Sequence, residues 1–194
     1  MARPHPIQDH AIDNLRYIRN TMERAASLTA VPGYGGMVMG GTALLAAVIA
    51  SRVSTNREWL TVWLTELVLA VAIGSLAMVF KARQTGASLW SESGRKFLLS
   101  FTPAAAVGAL LTAPLYLHGQ ANLLGAVWLL CYGAAVIAGG AFSVKIVPAM
   151  GAAFLALGVV ALVTPATLRD VPLAAGFGGL HLIFGYWIAR KYGG

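Results

Sequence analysis

Charge is scarce in this sequence. Only 11% of its 194 residues are Asp, Glu, Lys or Arg, under half of the roughly 25% usual in a soluble domain. Hydrophobic residues make up 58%, and a fold in water could not hide them, because folded proteins already leave much apolar surface exposed. Acids are rarer than bases, seven against fourteen, which gives a formal charge of +7. The bases fall between apolar runs and form no single stripe, so they read as topology signals and anionic-lipid contacts, and nucleic acid is not an expected partner. Cysteine is reduced to Cys131, which excludes an intramolecular disulfide, a CxxC redox pair and a zinc-type cluster. A lone thiol in an apolar run packs as a small hydrophobe. HExxH, paired carboxylates on one helix and a phosphate-cradling glycine loop are missing, and Gly74-Ser75 lacks the second glycine of a nucleophile elbow. These absences argue against an enzyme, and no cofactor or metal is expected. The first thirty residues lack a continuous apolar core, so no cleavable signal peptide is expected either.

Long hydrophobic runs are what the sequence has in abundance. Tyr34–Ser51, Trp59–Phe80, Phe97–Leu117, Leu123–Phe142, Ile146–Val163 and Val171–Ala189 are each 18 to 22 residues long. A helix needs roughly 17–25 residues to cross the hydrocarbon core, and at this length only helices satisfy their own backbone in lipid. The pattern predicts an all-α membrane protein: a six-transmembrane-helix bundle over 34–194. Before it, residues 1–33 read as a cytoplasmic tail and an amphipathic helix. Ile7, Ala11, Leu15, Ile18, Met22 and Ala25 make one apolar face, with Arg16, Arg19 and Arg24 among the polar residues between them. Such a helix lies along the membrane surface with its arginines at the lipid headgroups, or docks on a partner helix.

Orientation follows from the bases. If the first run starts in the cytoplasm, Arg3, Arg16, Arg19, Arg24, Lys81, Arg83, Arg95, Lys96, Lys145, Arg190 and Lys191 lie inside, and only Arg52, Arg57 and Arg169 lie outside. That bias predicts a multi-pass membrane protein with both termini cytoplasmic. Arg16, Arg19, Arg24, Lys145, Arg190 and Lys191 are its expected lipid anchors. Glycines seven residues apart, Gly133 and Gly140, Gly151 and Gly158, Gly178 and Gly185, put small residues on one face of each of the last three helices and predict close packing there. The two halves of the chain show no convincing inverted repeat.

Polar residues inside the runs are the candidates for chemistry. Glu66 is the one formally charged side chain within any of the six. It lies eight residues past Glu58, about 12 Å along a helix. A carboxyl so placed faces a cavity, finds a partner or holds a proton. Thr65 is its sequence neighbour, and Trp63, Ala70 and Gly74 share its face. His181 sits on the Gly178–Gly185 side of the last helix and is a candidate partner for Glu66, while Tyr132 and Lys145 are assigned to the cytoplasmic end of the fourth. His5, His10 and His118 lie near ends or loops, which leaves His181 without fellow metal or haem ligands.

The stretch from Arg16 to Arg24 running into Ala30-Val-Pro-Gly-Tyr-Gly-Gly36, together with Ala174-Ala-Gly-Phe-Gly-Gly-Leu-His181, resembles a family of uncharacterised small bacterial polytopic membrane proteins. The resemblance covers most of the chain and implies a bacterial origin and a single whole-chain unit. It brings no activity or site with it. Two functions stay open: transport or sensing of a small solute, ion or proton through Glu66, His181, Tyr132 and Thr65, or service as a non-catalytic accessory or assembly subunit that binds a partner membrane protein or a second copy.

Overall fold

The computed structural model describes residues 12–15, 17, 31–86 and 88–193. The amphipathic helix expected over 7–28, with Arg16, Arg19 and Arg24, lies outside them except at 12–15 and 17, which are helical. Among the described residues six helices are long and apolar enough to cross a membrane, the make-up of a multi-pass membrane protein. They are α1 (Gly33–Ala50), α2 (Asn56–Thr85), α3 (Glu92–Leu117), α4 (Leu124–Gly140), α5 (Ile146–Val163) and α6. The last is a run of Asp170–Leu173, Ala174–Leu180 and His181–Tyr192, whose middle section is a π-helix. No strand occurs among the described residues.

Two helices run past the apolar segments that signalled them, because a helix ends where its caps are, not where its hydrophobic run ends. A capping box starts α2: Thr55 Oγ1 accepts from the Glu58 amide and Glu58 Oε2 accepts from the Thr55 amide, both at 3.2 Å. Gly86, at φ 65°, closes it in the left-handed region. Ser91 caps α3 through the Gly94 amide at 3.2 Å, so Arg95 and Lys96 ride on its first turns, with Lys96 Nζ 2.7 Å from Glu92. Pro148 falls in the first turn of α5, where its missing N–H has no partner to lose.

Glycine contacts set which helices touch. A Cβ on Gly133 would stand 2.8 Å from Gly151 O, and one on Gly151 would stand 2.7 Å from Gly133 O. The α4 and α5 backbones are therefore in contact, with Gly140 on Pro148 and Gly158 on Leu130. The same holds between α1 and α6: Gly40 lies against Gly178 O, and Gly185 against Gly33 O. α2 packs on the other side of α1, and α3 on the other side of α4 through Gly108 on Cys131. α6 joins the two groups, its Gly176 set on Leu129 of α4 and Phe154 of α5. Outward, α2 and α3 expose Val68, Leu76, Leu99 and Leu110, each about 70% accessible. Broad apolar faces of this kind suit lipid.

Replacing Gly133 or Gly151 by Leu forces the α4 and α5 backbones apart and is expected to cost about 1–3 kcal/mol of stability. Gly41→Ala meets nothing within 4 Å and is expected to hold stability or raise it by about 0.5–1 kcal/mol through helix propensity. Unfolding midpoints of the detergent-purified variants check both; equal midpoints for the two classes would contradict the packing account.

Candidate functional site: buried polar groups between the helices

Glu66 lies on the face of α2 turned toward α1 and is 7% exposed. Its Oε1 is 2.8 Å from Thr42 Oγ1, and Thr42 stands halfway along α1. The Thr42 hydroxyl is also 2.9 Å from Met39 O, three residues back on its own helix. Thr65 does not join this group. One residue is 100° of helix, which turns Thr65 outward, and its hydroxyl donates to Thr61 O at 2.8 Å.

His181 is also buried, at 5% exposure, among different helices. It follows directly on the π section of α6, whose amides reach back five residues in place of four. Nδ1 takes the carbonyl of Phe177 at 2.9 Å, and Nε2 takes Tyr132 OH of α4 at 2.9 Å. A carbonyl only accepts, so Nδ1 carries the ring proton. Nε2 of the neutral imidazole is then an acceptor, and Tyr132 donates to it. Phe154, Phe177 and Phe101 surround the pair, with ring centroids 4.8, 5.4 and 6.0 Å from Tyr132.

The structure does not bring Glu66 and His181 together. No hydrogen bond or ion pair joins them: one is held between α2 and α1, the other among α4, α5 and α6. The glycine face of α6, at Gly178 and Gly185, looks at α1, whereas the His181 ring looks at α4. Three residues fall 60° short of a full turn, and the π section widens that turn further. Tyr132 also stands elsewhere than at the end of α4 beside Lys145. It lies in mid-helix, at His181.

Two polar groups were not singled out by sequence reasoning. At one end of the helices, Asp170 Oδ1 accepts both indole N–H groups of Trp59 and Trp63, at 2.7 and 3.1 Å. Trp59 stacks on Trp128 at 5.6 Å, Arg169 covers its other neighbourhood at 4.4 Å, and Arg169 Nη1 donates to Asn56 Oδ1 at 2.7 Å. At the opposite end Lys81, 2% exposed, donates to Val31 O at 2.9 Å and to Gly193 O. One lysine thus ties the residues that precede α1 to those that follow α6. The four-residue spacing of Trp59 and Trp63 was a visible signal for a shared partner, but Asp170 is more than 100 residues away. Lys145 is exposed ahead of α5, and Arg190 and Lys191 are exposed in the last turn of α6. Two open surface depressions, one beside Arg57 and Glu58 and one beside Phe80 and Arg83, are lined by none of Glu66, Tyr132 and His181. No group of three metal-ligating side chains occurs among the described residues.

Tyr132→Phe strips Nε2 of its donor while keeping the ring, and is expected to cost about 1–3 kcal/mol as an orphaned buried acceptor. Asp170→Ala orphans two indoles and is expected to cost at least as much and to shift tryptophan emission, since Trp59 and Trp63 change surroundings. Thermal unfolding and fluorescence in detergent check both; a Tyr132→Phe protein as stable as the native one would show that the His181 contact contributes nothing. Compared with protein-family models, curated proteins and solved structures, the chain finds no match.

Proposed function

We propose that this protein transports or senses a small solute, ion or proton through polar groups held in a six-helix transmembrane bundle of the bacterial inner membrane. One observation carries the reading: Glu66, a carboxyl about 12 Å along α2 from Glu58, is buried against a single hydroxyl with no cation beside it among the described residues. An acid in such a place costs at least a few kcal/mol if ionised, so it is a functional group unless something compensates it. His181 with Tyr132 is a second buried polar centre, held separately among α4, α5 and α6. Both termini are cytoplasmic on this reading, because the end that carries Lys81, Lys145, Arg190 and Lys191 is the basic one. The exposed bases there suit anionic lipid headgroups, and the amphipathic segment ahead of α1 would lie on the same surface.

Glu66→Gln keeps the size and removes the titration. In liposomes with an internal pH dye and defined ion gradients, flux through the native protein is expected to depend on pH, and the variant is expected to lose that dependence with a fall of roughly tenfold, about 1.4 kcal/mol. Flux equal to that of empty liposomes for protons and for alkali cations would remove the transport reading; an unchanged pH profile in the variant would remove Glu66 from it.

A further inference from the structure

The hydrogen atoms around Glu66 can be counted. Thr42 has one hydroxyl hydrogen and two oxygen neighbours, Met39 O at 2.9 Å and Glu66 Oε1 at 2.8 Å. If Glu66 is ionised, two acceptors, Met39 O and Glu66 Oε1, compete for that one hydrogen. Thr55, at the head of α2, donates its hydroxyl to the Glu58 carboxylate, but threonines with no carboxylate in reach turn back on their own helix. The hydroxyls of Thr61, Thr65, Thr102, Thr112 and Thr164 each donate to the carbonyl four residues back, at 2.7–3.0 Å. A threonine in a water-free helix has no better acceptor than the preceding turn.

Thr112 supplies the decisive parallel. Its hydrogen goes to Gly108 O at 3.0 Å, and its oxygen, left with lone pairs, accepts Trp128 Nε1–H at 2.9 Å. The indole there is a donor without ambiguity. Thr42 has a similar arrangement, with a helix carbonyl behind it, three residues back in place of four, and Glu66 Oε1 in the place of the indole nitrogen. With its hydrogen on Met39 O, the Thr42 oxygen can only accept, and the 2.8 Å contact needs a hydrogen on the carboxyl.

We infer that Glu66 is a proton-binding site: its Oε1–H donates to Thr42 Oγ1, and Thr42 Oγ1–H donates to Met39 O, in one directed chain from α2 into α1. The inference deepens the proposed function by naming the proton, and not a metal cation or an organic solute, as the ligand of this carboxyl. Among the described residues no group of three metal-ligating side chains gathers around it. Charge around the site agrees. α1 has no charged side chain between Gly33 and Ala50. On α2 the nearest are Glu58 and Arg57 toward one end and Lys81 toward the other. Asp170, on α6, is occupied by the indoles of Trp59 and Trp63. His181 is occupied by Tyr132 and Phe177. Among the described residues, nothing facing Glu66 replaces the proton as counter-charge.

Infrared spectroscopy of the full-length protein in lipid vesicles tests the inference. The other six acids, Asp9, Asp13, Glu23, Glu58, Glu92 and Asp170, are outside the spans or at their ends. The native protein at neutral pH is expected to show one protonated-carboxyl carbonyl band, shifted by deuterium exchange and absent in Glu66→Gln. Thr42→Val, which removes the acceptor at similar volume, is expected to move that band to higher frequency, and Thr42→Ser to leave it in place; this pair serves as the test if Glu66→Gln does not fold. Absence of such a band in the native protein, or a band that ignores both substitutions, overturns the inference. Flux measured on the same vesicles separates it from the reading it rests on. A band without flux keeps the bound proton and removes transport, while flux without a band keeps transport and removes the proton from Glu66.

Discussion

In hydrocarbon a polar atom has no solvent to fall back on, so each buried donor must be given an acceptor by the protein, and the positions of the polar residues follow from that accounting. Among the described residues no fully buried side-chain nitrogen or oxygen lacks a partner. Threonine meets the requirement by turning back on its own helix, which leaves its oxygen as an acceptor between helices. Trp128 uses one such oxygen and Glu66 meets another. Asp170 works in the opposite sense, as one carboxylate oxygen that serves two indoles from the same face of α2. Polar contacts therefore do what apolar attraction cannot do between helices in lipid: they select which faces meet.

Glycine determines how near those faces come. With Gly133 on Gly151 and Gly40 on Gly178, the helix backbones of two pairs touch, and the side chains that flank them are held at fixed depth. The π section of α6 belongs to this arrangement. Gly176 and Gly178 within it are each pressed against another helix, and the widened turn that they permit ends at His181. A longer side chain at either glycine would move the imidazole away from Tyr132. The histidine's hydrogen bonds are in that sense a consequence of packing several residues away.

The six spans were legible because mean hydropathy over some twenty residues reports on the surroundings of a helix without reference to its neighbours. The ends were less so. Thr55, Gly86 and Ser91 decide where α2 and α3 start and stop, and their capping roles are silent in a hydropathy profile. Lys81 was counted with the loop charges, as its place after an apolar run suggests, and only the fold shows it buried on two carbonyls. Glu66 stood out by being charged in an apolar run, but its partner is a threonine 24 residues earlier, one of several equally plain hydroxyls in the chain. The pairing of Tyr132 with His181 spans 49 residues and needs the rotation that the π section adds, which no spacing rule of 3.6 anticipates. Thr65 misled for the complementary reason: nearness in sequence is the wrong measure on a helix, where neighbours point 100° apart.

The separation of Glu66 from His181 changes what a shared role would require. No hydrogen bond among the described side chains joins them, but the helix contacts offer a mechanical route, and those contacts are specific. Thr42, the partner of Glu66, belongs to α1. The opposite face of the same helix is fixed on α6 where Gly40 meets Gly178 and Leu44 meets Gly178, three residues before His181. An ionised Glu66 would repel the lone pairs of Thr42 and draw its hydrogen off Met39 O, which disturbs α1 at the level of that contact. Because the interface is backbone against backbone, it has little slack to absorb a shift. Movement of α1 would reach the π section first, at Gly178, and the imidazole is the next group in line.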